Sequence, residues 1–123
     1  MARRKILIID DEKGFTSMLR LNLESTGVYE VFEENNPIKA MNAALEHNPD
    51  LILLDIVMPN KEGPDVAVEL RSNQKLKTVP IIFLTATVRQ SEVDSEGGYI
   101  GGHHFIAKPS NLPALLESIE RNI

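Results

Sequence analysis

The sequence predicts an α/β fold in which one parallel, five-stranded sheet lies between two layers of helices. Three observations lead there. The apolar runs Ile6-Leu7-Ile8-Ile9 and Leu51-Ile52-Leu53-Leu54 are each bounded by turn-prone residues, as strands buried on both faces are. Three further short runs alternate with longer stretches whose apolar residues recur at helical spacing. Both four-residue runs end in carboxylates, Asp10-Asp11 and Asp55, and open α/β sheets place their ligand sites at the carboxyl ends of their strands.

In chain order, strands are predicted at 5–9, 28–33, 51–54, 80–84 and 104–107, with helices at about 13–26, 37–47, 63–74, 88–97 and 111–122. The first helix carries Phe15, Met18, Leu19 and Leu23 on one stripe, and Gly27 follows as its stop. The second opens with Asn36 as cap and Pro37 in its first turn, then turns Ile38, Met41, Ala44 and Leu45 inward. Val66, Ala67 and Leu70 mark the third, and Leu112, Leu115, Leu116 and Ile119 the last. The fourth is the least regular. It runs into Gly97-Gly98-Tyr99-Ile100-Gly101-Gly102, where each glycine costs a helix about 1 kcal/mol relative to alanine. Five strand–helix alternations call for a three-layer sandwich, and the flavodoxin-like strand order 2-1-3-4-5 suits five strands best. In that order strands 1 and 3 are neighbours, so Asp10, Asp11 and Asp55 share one crevice.

The chain of 123 residues is read as one domain with an ordinary balance of 42% hydrophobic and 25% charged residues. A net charge of −5 argues against non-specific binding of nucleic acid or an anionic membrane. With no cysteine there are no disulfides, thiolate metal sites or cysteine nucleophiles. The basic start Met1-Ala2-Arg3-Arg4-Lys5 leads into too short an apolar run for a signal peptide, and no stretch reaches the roughly 20 apolar residues of a membrane span. A cytoplasmic location is the default expectation.

Two carboxylates about 4 Å apart repel by about 1 kcal/mol in water and about 4 kcal/mol at an effective dielectric of 20. Three in one partly buried site need compensation, and Mg2+ suits one or two carboxylates together with waters and a phosphate oxygen. Lys108 after the fifth strand adds a second positive charge, and Thr85 ends the fourth strand with a hydroxyl. Acids, metal, hydroxyl and ammonium around one carboxylate suit phosphoryl transfer, with Asp55 as nucleophile.

At this point a family comes into view. Asp10-Asp11, Asp55-Ile56-Val57-Met58-Pro59 with Gly63, Thr85-Ala86, and Lys108-Pro109 preceded by Phe105 resemble the receiver domain of bacterial response regulators, over nearly the whole chain. The resemblance implies that Asp55 accepts a phosphoryl group from a histidine kinase or phosphotransfer protein. It implies Mg2+ held by Asp11, Asp55 and the Val57 carbonyl, with Asp10 acting mostly through water. Lys108, fixed by a cis bond to Pro109, would pair with the phosphoryl oxygens, which Thr85 and the Ala86 amide would also bind. Thr85 moving inward would let Phe105 swing from exposed to buried, altering the face of the fourth helix, fifth strand and fifth helix. The listener would be an output domain or partner protein, with a homodimer left open. The chain would be either a complete regulator or the receiver of a longer protein.

Blander readings stand beside these. Asp11 or Glu12 could cap the first helix, Thr85 the next one, and Phe105 could be a plain core aromatic. Glu12 and Glu62 are expected to face solvent. His103-His104 makes a poor metal pair, because neighbours on a strand point to opposite faces. His103, His104 and Ser110 also depart from the resembled pattern, which leaves the site intact and puts the output face in question. A phosphatase resembling the haloacid dehalogenases needs a second acid where Val57 stands. A flavin or nucleotide binder needs a phosphate loop where Asp10-Asp11-Glu12 would repel phosphate. A receiver-like interaction module that signals without phosphorylation remains the alternative.

Overall fold

The computed structural model of the chain describes residues 2–85, 99–100, 103–108 and 112–123. The strands are β1 (Arg4–Ile9), β2 (Tyr29–Glu34), β3 (Leu51–Asp55), β4 (Ile81–Thr85), β5 (Tyr99–Ile100) and β6 (His103–Ala107). The helices are α1 (Lys13–Glu24), α2 (Ala40–His47, led by a 3-10 turn at Pro37–Lys39), α3 (Gly63–Arg71) and α4 (Leu112–Asn122). The expected fourth helix at 88–97 lies outside the described residues, and α4 is the fifth helix of the sequence reading.

The strands run in the order β2-β1-β3-β4-β6-β5. The five expected strands are parallel and in the expected order 2-1-3-4-5. One element is new: Tyr99–Ile100, inside the glycine-rich tract, pairs antiparallel with His103–His104 at the sheet edge.

Alternation along the buried strands divides the core in two. Leu7, Ile9, Ile52, Leu54 and Phe83 pack under Ala40, Ala43 and Ala44 of α2 and Val66, Ala67 and Leu70 of α3. Ile6, Ile8, Leu51, Leu53, Ile82 and Leu84 pack under Leu19 and Leu23 of α1 and Leu115 and Ile119 of α4. All five residues of β3 are buried, which fits its place in the middle of the sheet.

Helix boundaries follow their signals. Asn36 accepts the Ile38 N–H on its side chain, with Pro37 next in line. Gly27 takes φ +79° three residues past the end of α1. The inward stripe of the second helix needs correction, since Ile38 is 61% and Leu45 41% exposed. The 3-10 turn advances three residues per turn and so rotates the following α-helix, which presents Ala40 and Ala43 to the sheet together with the expected Ala44, while Met41 is partly buried. Met18 on α1 is likewise half exposed, at the margin of the apolar stripe.

One contact fixes the level of α3 against β3. The Gly63 N–H donates to the Ile56 carbonyl at 2.7 Å. A Cβ at Gly63 would sit 2.2 Å from the Asp55 carbonyl oxygen and 2.9 Å from the Ile56 Cα, both backbone atoms that cannot rotate away. Gly63→Ala should therefore destabilise the fold by about 1–3 kcal/mol or more, as overpacking does. Urea unfolding measures this, and wild-type stability in the variant would contradict the close approach.

Candidate functional site

The strand register brings the acids level. Ile9 pairs with Leu54, so Asp10 emerges opposite Asp55. Asp55 pairs with Leu84, and Thr85 with Ala107, so the hydroxyl and then Lys108 follow one step further along the chain ends. Asp10 and Asp55 continue the alternation of Ile8 and Leu53 toward the α1–α4 side, and Lys108 continues that of Ile106. Thr85 has the parity of Phe83 and belongs to the other side of the sheet.

Carboxylate oxygens of Asp10, Asp11 and Asp55 all lie within 4.8 Å of one another. Asp10 is fully buried and Asp55 is 4% exposed, whereas Asp11 is half-buried. Asp10 is held from several directions. Its Oδ1 accepts the Glu12 N–H at 2.9 Å, its Oδ2 accepts from Lys108 Nζ at 2.8 Å, and its carbonyl accepts from Asn35 Nδ2 at 2.8 Å. Asn35 also donates to Thr16 Oγ1, which in turn donates to Glu33 at 2.6 Å. This network ties the end of β1 to α1 and to the loop after β2.

Lys108 reaches the crevice because its backbone N–H continues the sheet, donating to the Thr85 carbonyl at 2.7 Å. Its Nζ lies 2.8 Å from Asp10 Oδ2, 2.9 Å from Glu12 Oε1 and 3.7 Å from Asp55 Oδ1, and sits over the Phe15 ring at 4.5 Å. Glu12 was expected to face solvent. Its side chain is indeed 62% exposed, yet its tip folds back onto the ammonium. The capping alternative for Glu12 fails: it stands at the N-cap of α1 without a side-chain capping bond.

Electrostatics follow from burial. Desolvation pushes the Asp55 carboxyl from an ordinary 3.8 up to about 6; the Asp10 charge adds to the rise and Lys108 opposes it. Desolvation also raises Asp10, against the hydrogen bonds from Lys108 and the Glu12 amide. Burial alone would lower Lys108, but its bonds to Asp10 and Glu12 outweigh that and hold it above the usual lysine value. Among the described residues the crevice carries more negative charge than the Lys108 ammonium balances, with oxygen donors close together. That is the donor set a hard divalent cation such as Mg2+ takes.

Phe105 is half-buried and stacks on Phe83, with ring centroids 5.1 Å apart. Thr85 is buried at the end of β4, and the Val57 side chain is 57% exposed beside Asp55. Ala86, the bond to Pro109, and Ser110 lie outside the described residues, as do the side chains of His103 and His104. Asn35 is absent from the site expected from the sequence, and Phe15 is expected only as core. The expected strand order already carries the signal for Asn35, because the loop after β2 must lie beside the end of β1.

The raised Asp55 pKa has a sign for stability. The folded chain holds more protons than the unfolded chain between about pH 4 and 6, so metal-free stability falls as pH rises through that window. At about 1.4 kcal/mol per pH unit, the ionised carboxylate costs the fold on the order of 2–3 kcal/mol at pH 7. Asp55→Asn should stabilise the metal-free protein at pH 7.5 by about 1–3 kcal/mol, with a smaller gain in Mg2+. Denaturant titrations in EDTA and in Mg2+ measure both, and a variant less stable than wild type would contradict the crowding of charge.

Comparison with known proteins agrees with this geometry. Residues 6–120 match the family model of the response regulator receiver domain. The chain superposes on the chemotaxis protein CheY4 of Vibrio cholerae with a TM-score of 0.83 at 28% identity, covering 99% of this chain and 100% of that one. It also superposes on the receiver domain of a sensor histidine kinase from Pseudomonas aeruginosa (TM-score 0.81, 27% identity, 98% of each chain), whose structure has a magnesium ion coordinated in the active-site cleft. The signal receiver domain of a histidine kinase from Syntrophus aciditrophicus is 30% identical, with a TM-score of 0.78 over 96% of this chain and 88% of that one. A five-stranded parallel sheet with an acidic crevice, matched by a family model along nearly its whole length, places this chain in the response regulator receiver domain family.

Proposed function

We propose that Asp55 is the phosphoacceptor of this receiver and takes its phosphoryl group from a phosphohistidine on a histidine kinase or phosphotransfer protein. The observation that carries the reading is the position of Asp55, buried at the end of β3 with two other carboxylates and an ammonium around it. An Asp55 oxygen attacks phosphorus, the P–N bond breaks, and its electron pair leaves with the imidazole nitrogen. Asp10, Asp11, Asp55 and the Val57 carbonyl would hold Mg2+, which when bound neutralises carboxylate charge and ligates a phosphoryl oxygen. Lys108 stands close enough to pair with the phosphoryl oxygens, and the crevice walls keep the acyl phosphate in a partly desolvated place.

The readout is assigned to Thr85, the Ala86 amide and Phe105. Thr85 would move toward the phosphoryl group and the Phe105 ring would leave its present half-buried position against Phe83 for full burial. Moving such an equilibrium from 1:99 to 99:1 takes about 5.5 kcal/mol. A phosphoryl group that adds roughly −1.5 to −2 charge and several charge-assisted bonds is of that order. The altered face would then act on an output domain or partner protein in the cytoplasm. Each phosphoryl group is one signal, so the protein is a signalling module and not a turnover enzyme.

Incubation with Mg2+ and acetyl phosphate should add the mass of one phosphoryl group to wild type and none to Asp55→Asn. A gain that survives Asp55→Asn would contradict the assignment, and no gain in wild type would favour an interaction module that signals without phosphate. Lys108→Ala should still gain the phosphoryl group while its Phe105 ring resonances stay where they are in the unphosphorylated protein. Wild-type shifts in that variant would remove Lys108 from the readout.

A further inference from the structure

We infer that Glu12 is a latch on Lys108, a positioning residue that holds the ammonium off Asp55 until the phosphoryl group arrives. The inference rests on the phosphoacceptor reading of Asp55. A lysine ammonium has three N–H donors. Two are directed at Asp10 Oδ2 and Glu12 Oε1, at 2.8 and 2.9 Å, while Asp55 Oδ1 is 3.7 Å away, beyond hydrogen-bonding distance. The Phe15 ring backs the ammonium from 4.5 Å and favours the same resting place.

The two holding carboxylates differ in kind. Asp10 belongs to the trio whose oxygens converge within 4.8 Å, so its hold on Lys108 weakens when that trio is occupied by a cation. Glu12 is outside the trio among the described residues, and its hold persists with metal present. It is therefore the contact that Lys108 must give up to meet a phosphoryl oxygen. The backbone at position 12 is already fixed, with its N–H on Asp10 Oδ1 and its carbonyl accepting the Thr16 N–H at 3.1 Å, so only the side chain has to be ordered. With its side chain 62% exposed, Glu12 forms a bond weak enough to break in each signalling event.

A bare negative charge at position 12 would also slow an anionic donor, without any latch. A double-mutant cycle separates the two. Glu12→Ala should raise the initial rate of phosphorylation by acetyl phosphate in Mg2+ by about two- to fivefold, the range a surface ion pair can carry. In a Lys108→Ala background the same substitution should change the rate by less than about 1.5-fold. Glu12→Asp keeps the charge but is one methylene shorter, and should behave like Glu12→Ala. A readout without phosphate or metal is the Lys108 side-chain 15N resonance in EDTA, which should shift in Glu12→Ala and Glu12→Asp alike. An equal rate effect in both backgrounds, with Glu12→Asp behaving as wild type, would overturn the latch in favour of simple repulsion. Unchanged rates and an unchanged Lys108 resonance would overturn it while leaving Asp55 as acceptor. No phosphorylation of wild type would overturn both.

Discussion

Crowding of negative charge at one end of a parallel sheet governs this molecule. Asp10 and Asp55 are buried next to each other, with Asp11 within reach, and the Lys108 ammonium lies within 3.7 Å of Asp10, Asp55 and Glu12. Such a site is unfavourable left to itself, because desolvation and like charge act in the same direction on Asp55. The rest of the fold supplies the rigidity that keeps it together. Two apolar layers grip β1 and β3 from both faces, and the start of α3 is pressed against the Asp55 backbone at Gly63. The same imbalance suits the site to a divalent cation, which relieves it and, under the proposed function, offsets the charge that a phosphoryl group brings.

Much of this was legible in the sequence, for a physical reason. Strands buried on both faces must be apolar throughout, so Ile6–Ile9 and Leu51–Leu54 announce themselves, and the acids that end them are then placed by topology alone. Strand order follows from local runs and from the general rules of parallel sheets, so the meeting of Asp10, Asp11 and Asp55 needed no structure to be expected.

What was missed depends on partners distant in the chain or on local geometry that periodicity cannot see. Glu12 gains its role from Lys108, 96 residues away, and an exposed acid beside an acidic pair carries no sign of that. Asn35 is defined by a bond to the Asp10 carbonyl across 25 residues. Tyr99–Ile100 is a two-residue strand made by pairing with β6 rather than by its own composition, which is glycine-flanked and weak. Ile38 is exposed within a 3-10 turn, and Leu45 is exposed because that turn precedes α2 and resets its phase. The site was written in strands, where neighbours are fixed, and the errors fell in helix phase and loops, where they are not.

The central claim is that Asp55 sits in a crevice whose negative charge, uncompensated among the described residues, suits it to a divalent cation. Its most direct test is the titration of the Asp55 side-chain carboxyl followed by 13C NMR, first in EDTA and then in saturating Mg2+. The account predicts a midpoint near pH 6 without metal, as burial and Asp10 require, and a clear fall when Mg2+ is present. A metal-free midpoint at or below the ordinary carboxylate value of 3.8, with no response to Mg2+, would contradict it.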